Sequence, residues 1–109
     1  MSKGVRSVVY PVKDIDKAKV LFRELLGMEP YVDNAYYVGF KVGGLDVGLD
    51  PNGHKDGATV YYHVDDIRKS LKSLGDAGAT AVQEIKDIGA GGLIASVRDE
   101  SGNIIGLIQ

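Results

Sequence analysis

The sequence contains no cysteine, no tryptophan and only three prolines, and its formal net charge is -2. Without cysteine, the chain has no disulfide, no thiolate nucleophile and no cysteine-based zinc site. The 13 lysines and arginines are scattered among 15 acidic residues, so a basic stripe for nucleic acid is not expected. No apolar run approaches the ~18 residues of a membrane span, and the N-terminus lacks an apolar signal core. We therefore expect a cytoplasmic protein with neither a nucleic-acid nor a membrane partner.

The chain of 109 residues has the size of a single domain, which we place over residues 1–109. Within it the pattern V-x-D-I-x-K occurs twice, at residues 12–17 and 64–69. A second pattern, G-x-x-(V/I)-G-L, occurs at residues 44–49 and 102–107. Because both patterns fall at matching places, the sequence predicts a duplicated unit, with repeats over about residues 5–50 and 58–109.

Each half has the same predicted order of elements. In the first half a strand over 5–12 precedes a helix from Asp14 to Gly27, and strands follow within 31–42 and over 45–49. In the second half a strand over 58–64 precedes a helix that begins at Asp65 or Asp66, and strands follow over 79–85, 93–98 and 103–108. Residues 50–57 form a turn-rich connector, and 89–92 are interpreted as a hairpin or flap rather than a phosphate loop. The inward helix positions are Ile15, Ala18, Phe22, Leu25, Ile67, Leu71 and Leu74. The sequence thus predicts an α+β fold of two βαβββ units, with both helices on one face of the sheet.

Strand alternation divides the strand residues between a helix side and an open face. The apolar and aromatic set assigned to the helix side is Val8, Tyr10, Val12, Val60, Tyr62 and Val64. The set left on the open face is Ser7, Thr59, Tyr61 and His63. By the same rule Asp46, Gly48 and Asp50 share one face, as do Ile104, Gly106 and Ile108. One tyrosine of Tyr36 and Tyr37, and one of Tyr61 and Tyr62, should lie in the core while the other lines the open face.

Two further segments carry a family resemblance: L-L-G-M at residues 25–28, and D-x-x-G-N-x-I-x-L-I at 99–108. Together with the duplicated pattern they resemble the vicinal oxygen chelate superfamily, the glyoxalase, bleomycin resistance and extradiol dioxygenase group. The resemblance implies paired βαβββ modules in a cup-shaped mixed sheet, with helices on the outer face and, in the enzymes, a divalent metal at the base of the cup. It also implies a cup commonly completed by a second chain, so we expect a homodimer.

The resemblance places four metal ligands, His or Glu, at positions that here are Ser7, Gly48, Thr59 and Gly106. Two of these have no side chain and two have neutral hydroxyls, which are poor donors beside imidazole or carboxylate. The members without metal that this pattern is similar to bind and sequester small molecules. We therefore predict a metal-independent small-molecule binding protein with no cofactor and no catalytic residue. The predicted ligand-binding residues are Ser7, Tyr37, Gly48, Thr59, Tyr61, His63, Ile104, Gly106 and Ile108.

Other interpretations stay open from the sequence alone. The small residues at the four positions either leave room for an organic ligand or are covered by neighbouring side chains, which would favour a purely structural or regulatory dimer. Asp46, Asp50 and His63 could form a displaced metal site of a lyase, isomerase or dioxygenase. The competing interpretation is that the two acids protect an edge strand from unwanted pairing and that His63 is a hydrogen-bonding wall residue.

Overall fold

A computed structural model describes residues 2–53 and 57–109 of the chain. They form two compact units: the first unit holds residues 7–53 and 57–59, and the second unit holds residues 2–6 and 60–109. Residues 54–56 of the predicted connector lie outside the described residues. The elements are β1 (Ser2–Pro11), α1 (Ile15–Leu26), β2 (Val32–Asp33), β3 (Val38–Val42), β4 (Leu45–Asp50), β5 (Thr59–Val64), α2 (Ile67–Asp76), β6 (Thr80–Gly89), β7 (Gly92–Arg98) and β8 (Ile104–Ile108).

The first unit is a mixed sheet in the order β2-β3-β4-β1. Strand β1 runs parallel to β4, with Val9 beside Gly48, and β4 runs antiparallel to β3, with Gly48 beside Gly39. The parallel contact requires a crossover, and helix α1 supplies it. The first strand of this half therefore pairs with the last strand of the same half.

Helix α1 begins and ends where the sequence predicts. The Asp14 carboxylate accepts hydrogen bonds from the backbone N–H groups of Asp16 and Lys17, both at 3.1 Å, which satisfies donors that have no partner within the helix. At the other end Gly27 has φ 63°, and its N–H donates to the Arg23 carbonyl. A left-handed residue here favours glycine because it has no Cβ to clash. The pattern V-x-D-I-x-K therefore encodes a strand end and a helix cap.

The core of the first unit lies between α1 and one face of the sheet. Val38, Phe40 and Leu49 are buried at its centre. The residues packed around them are Val12, Ile15, Ala18, Phe22, Leu26, Met28, Val42 and Val47. The Tyr10 and Phe22 rings lie 5.1 Å apart, which agrees with placing Tyr10 on the helix side.

The prediction that Leu25 faces inward is wrong, because its side chain is 71% exposed while Leu26 packs into the core. At 3.6 residues per turn, Leu26 lies about 20° from the direction of Ile15 around the helix, whereas Leu25 lies about 80° away. The buried face of α1 therefore continues from Phe22 to Leu26, four residues later, and not to Leu25, three residues later.

The second unit repeats this plan in the order β5-β8-β7-β6. Strands β5 and β8 are parallel and the other neighbours are antiparallel. Helix α2 is capped by Asp66, whose carboxylate accepts from the Lys69 N–H at 3.1 Å, so Asp66 rather than Asp65 begins it. Val64, Ile67, Ala95 and Leu107 form the buried core, and Leu71, Leu74, Ile85 and Leu93 pack against it. The prediction of an α+β fold with two βαβββ units is confirmed.

Residues 89–92 form a hairpin turn, which is one of the two structures, hairpin or flap, predicted for them. Ala90 and Gly91 have φ 53° and 80°, and Gly89 pairs with Gly92. Two successive residues with positive φ match the twist of antiparallel strands in a two-residue turn. Strand β6 therefore runs to Gly89, beyond its predicted end at Ile85. Among the described residues no helix is long and apolar enough to cross a membrane.

Candidate functional site: two tyrosine-covered glycine positions

The strand registers place the predicted open-face residues together within each unit. In the first unit Ser7 lies beside Asp46, Val9 beside Gly48 and Pro11 beside Asp50, so the three β4 residues share a face as predicted. Gly39 and Lys41 of β3 lie beside Gly48 and Asp46. Ser7 and Gly48 are buried. This face lies opposite the one that packs against α1.

The Tyr37 ring covers Gly48. A Cβ added to Gly48 would lie 2.8 Å from Tyr37 Cε1, and one added to Gly39 would lie 3.1 Å from Cε2. Real Cβ atoms essentially never approach another atom within 3.0 Å, so the ring occupies the space that a side chain at position 48 would need. The backbone N–H of Tyr37 donates to the Asn34 side chain at 2.9 Å, which fixes the turn that presents the ring.

A charged edge adjoins this ring. The Tyr31 hydroxyl donates to Asp46 Oδ1 at 2.9 Å, and Lys41 Nζ lies 3.0 Å from the same oxygen. Lys41 Nζ also lies 4.9 Å from the centre of the Tyr31 ring, within range of a cation–π interaction. We call this set the Tyr37 surface; its residues are Tyr31, Tyr37, Gly39, Lys41, Asp46 and Gly48.

The second unit has the equivalent arrangement at Gly106. Tyr61 lies beside Gly106 in the register of β5 and β8, and a Cβ on Gly106 would lie 2.5, 2.7 and 2.8 Å from three Tyr61 ring atoms. On the other side of Gly106, Ser96 is its partner in β7. His63 lies beside Ile108. We call this set the Tyr61 surface; its residues are Tyr61, His63, Ser96, Ile104, Gly106 and Ile108.

The remaining predicted residues divide into agreements and corrections. Thr59 is buried at the start of β5. Tyr62 lies on the helix side, next to Leu107 in the register, but the prediction that it lies in the core is wrong, because the residue is 36% exposed. Tyr36, predicted to lie in the core if Tyr37 lies on the open face, is instead 78% exposed. The alternation rule fails here because Tyr36 precedes β3 and lies in a turn, where its N–H donates to Asn34 Oδ1.

The residues at the four family positions do not fit a metal ion. Glycine offers no donor, and at Gly48 and Gly106 a tyrosine ring covers the backbone. The two acids of the displaced set have other partners: the Asp46 carboxylate accepts from the Tyr31 hydroxyl and pairs with Lys41, and the Asp50 carboxylate accepts from the Asn52 N–H at 2.8 Å. Across residues 2–53 and 57–109, no three His, Asp or Glu side chains group as potential metal ligands.

Two carboxyl groups have a lowered pKa, Asp65 in an ion pair and Asp99 in a turn, and neither belongs to the Tyr37 or Tyr61 surface. Hydrogen bonding and charge from Lys3, at 2.8 Å, lower the pKa of Asp65. Hydrogen bonds from the side chain and backbone of Asn103 lower the pKa of Asp99. The Asp99 carboxylate also accepts from the Ser101 N–H at 2.9 Å. The D-x-x-G-N segment therefore builds the β7–β8 turn, where Gly102 has φ 89°.

Sequence reasoning missed four residues of these surfaces: Tyr31, Gly39, Lys41 and Ser96. Ser96 is fully buried on the face of Gly106. Applying the alternation rule to strand 93–98, once paired with β8, would have placed it there. The contacts of Tyr31 and Lys41 depend on side-chain direction, which no local sequence pattern indicates.

Comparison with known proteins agrees with this architecture. The family model of the Glyoxalase/Bleomycin resistance protein/Dioxygenase superfamily matches residues 4–107. No curated protein matches the sequence significantly. A solved superfamily member from Vibrio splendidus 12B01 has a TM-score of 0.74 at 19% identity, with 96% of this chain and 98% of that chain covered.

Two further solved structures carry different names on the same fold. Methylmalonyl-CoA epimerase from Mycobacterium tuberculosis has a TM-score of 0.73 at 19% identity, covering 98% of this chain and 87% of that chain. A chain described as NAD-dependent benzaldehyde dehydrogenase from Legionella pneumophila has a TM-score of 0.74 at 18% identity, covering 94% and 96%. At these identities the likeness establishes the fold and not the chemistry. With the family model matching nearly its whole length, the chain belongs to the glyoxalase/bleomycin resistance protein/dioxygenase superfamily.

Proposed function

We propose that this chain is a metal-independent binding protein for small planar organic molecules, which it sequesters or senses without transforming. The observation that carries the proposal is the pair of tyrosine rings over Gly48 and Gly106. Each ring lies over a glycine at a position where the resemblance places a metal ligand in the enzymes of the family. Aromatic faces favour stacking with other planar groups, and the positions offer no donor set for a metal.

The Tyr37 surface supports the choice of ligand class. Its ring lies against Gly48 and Gly39, and the Tyr31 ring also borders Gly39, so two aromatic rings adjoin at this surface. The Lys41–Asp46 pair beside it supplies both a hydrogen-bond donor and an acceptor. Pockets that bind small molecules combine apolar or aromatic area with a few polar groups of this kind. Glycopeptide antibiotics and aromatic metabolites have the matching chemistry.

Binding can be measured without a label, because the chain has six tyrosines and no tryptophan. We expect compounds of an aromatic panel to change tyrosine fluorescence and to show contact in ligand-observed NMR. Tyr37→Leu should raise Kd about fivefold, the loss of one stacking contact of about 1 kcal/mol. Tyr36→Leu is the matched control, because that residue is exposed and its ring is not among the nearest neighbours of Gly39 or Gly48. Absence of binding across the panel, or equal effects of both substitutions, would contradict the proposal.

We also propose that the chain acts as a homodimer in the reducing cytoplasm, which suits a chain without cysteine. Support comes from α1, whose outer side carries exposed Val20, Leu21 and Leu25. On the same side Lys17 and Glu24 are both exposed and lie two turns apart. In an antiparallel pairing of two α1 helices, each Lys17 would face Glu24 of the partner subunit. The apolar stripe and the self-complementary charges favour a second copy as the occupant.

A structural or regulatory dimer is the second candidate function. The observation that favours it is that both tyrosine rings already contact the glycine backbones, so the surfaces are covered by the protein's own side chains. This candidate predicts dimerisation without ligand binding. The fluorescence and NMR panel therefore separates it from the leading proposal.

A further inference from the structure

The floors beneath the two tyrosine rings differ in one atom group. Under Tyr37 the cross-strand pair is Gly39 and Gly48, neither of which has a side chain. Under Tyr61 the equivalent pair is Ser96 and Gly106. The second unit therefore has a hydroxyl in its floor where the first unit has none.

The Ser96 hydroxyl is in an unusual state. Its residue is 0% exposed, and within residues 2–53 and 57–109 its Oγ has no hydrogen-bond partner. Leaving a buried hydroxyl unsatisfied destabilises the folded protein, because its hydrogen bonds to water are lost without replacement. Most buried polar atoms in folded proteins do have a partner, so an exception calls for an explanation.

The Tyr61 ring lies on the same face of the sheet as Ser96, one strand away from it. Tyr61, Gly106 and Ser96 lie in one row across β5, β8 and β7, with their side chains on the same face. The ring leans from β5 onto Gly106, toward Ser96. Because Gly106 has no side chain, the Tyr61 ring is the neighbour of Ser96 on the β5 side of this row, and Gln83 of β6 is its partner on the other side.

We propose that Tyr61 is a displaceable cover over a subsite whose recognition atom is Ser96 Oγ. This inference rests on the proposed binding function and specifies one ligand class for the second unit, where the ligand takes the place of the Tyr61 ring instead of stacking on it. The space released by the ring is that of a phenol group, and its floor is the bare backbone of Gly106. Ile104 and Ile108 flank that floor along β8. The subsite therefore takes a planar six-membered ring with one hydrogen-bonding group, of the phenol type.

Ser96 suits this role because a hydroxyl can both donate and accept. In the covered state it makes neither bond, and in the liganded state it bonds the hydroxyl of the bound ring. The same atom thus destabilises the unliganded protein and stabilises the complex. This opposition distinguishes a recognition atom from a serine that merely fills space.

The test uses the full chain with p-cresol and toluene as probes, which differ by the hydroxyl. For p-cresol, Ser96→Ala should raise Kd about fivefold, the loss of one hydrogen bond. For toluene, Kd should be unchanged. Ser96→Ala should also raise Tm by about 4 °C or more, because the unsatisfied hydroxyl is removed. Tyr61→Ala should tighten p-cresol binding, since no ring has to be displaced. Ser70→Ala, at a buried serine on α2, is the control and should leave both Kd values unchanged.

The outcomes separate this inference from the proposed function. It is overturned if Ser96→Ala leaves p-cresol affinity unchanged, if Tyr61→Ala weakens it, or if neither probe binds wild type or Tyr61→Ala. A rise in Tm on Ser96→Ala without any loss of affinity also overturns it, because the hydroxyl is then only a packing defect. Binding of panel compounds that depends on Tyr37 but not on Ser96 would preserve the proposed function while rejecting the subsite.

Discussion

Replacing Gly106 with alanine measures how firmly the Tyr61 ring is held. The new Cβ would lie 2.5–2.8 Å from three ring atoms, so the ring must move away. Overpacking of this kind costs about 1–3 kcal/mol. Gly106 has no positive φ, so alanine also gains about 0.5–1 kcal/mol by restricting the unfolded chain. The net expectation is a loss of about 1–2 kcal/mol, or roughly 4–8 °C in Tm.

A double-mutant cycle isolates the contact with the ring. In a Tyr61→Ala background the obstacle is gone, so Gly106→Ala should be neutral or stabilising by up to about 1 kcal/mol. Gly75→Ala is the matched control: Gly75 lies in α2 with nothing within 4 Å of an added Cβ, and alanine should stabilise it by about 1 kcal/mol. Thermal and urea unfolding followed by circular dichroism give the change in stability for Gly106→Ala, Tyr61→Ala, the double variant and Gly75→Ala. If Gly106→Ala stabilises the wild-type protein as Gly75→Ala does, the ring does not cover Gly106 and the reasoning fails.

Three further predictions concern the frame around the surfaces. Gly27→Ala should lower stability by about 1 kcal/mol in urea unfolding, because Gly27 ends α1 with φ 63° and a Cβ is unfavourable there. Its site is open, so an unchanged midpoint would contradict a backbone cause. Asp99 has a pKa lowered below 3.8, so protonation favours the unfolded chain; its stabilisation is present above pH 3.8 and is lost as the pH falls through the lowered value. Urea unfolding at several acidic pH values should therefore show a weaker pH dependence for Asp99→Ala than for wild type, and equal slopes would be inconsistent with this assignment. Leu21→Glu should convert the proposed dimer to a monomer in light scattering while Glu24→Gln weakens it less; an unchanged dimer would remove α1 as the interface.

Much of the frame could be predicted from the sequence because its signals are local. Asp14 and Asp66 cap helices through contacts within a few residues, and Gly27 ends a helix through its own backbone. The period-2 alternation grouped Gly48 with Asp46 and Asp50, and Gly106 with Ile104 and Ile108, while the family resemblance identified the two glycine positions as part of the site. The predictions for Leu25 and Tyr36 were wrong for different reasons. The burial of Leu25 depends on how the whole helix is oriented on its sheet, and that of Tyr36 depends on where the turn before β3 ends.

The arrangement of the surfaces depends on longer contacts. Alternation predicts that Tyr37 and Tyr61 point away from the helices, but not that each ring leans across a neighbouring strand onto a glycine. That lean is a side-chain torsion set by cross-strand packing. The tyrosine that covers the glycine comes from a different place in each half, since Tyr37 precedes β3 whereas Tyr61 lies within β5. A repeat comparison therefore could not have equated them.

A native mass spectrum most directly tests whether the chain binds organic molecules without metal. The protein should be purified without chelators and without a nickel column. We expect a dimer without stoichiometric metal, carrying an organic mass that is lost on activation or replaced by compounds of the aromatic panel. A stoichiometric divalent metal that survives exchange into metal-free buffer would contradict the account, because Gly48 and Gly106 supply no ligand and tyrosine rings cover both.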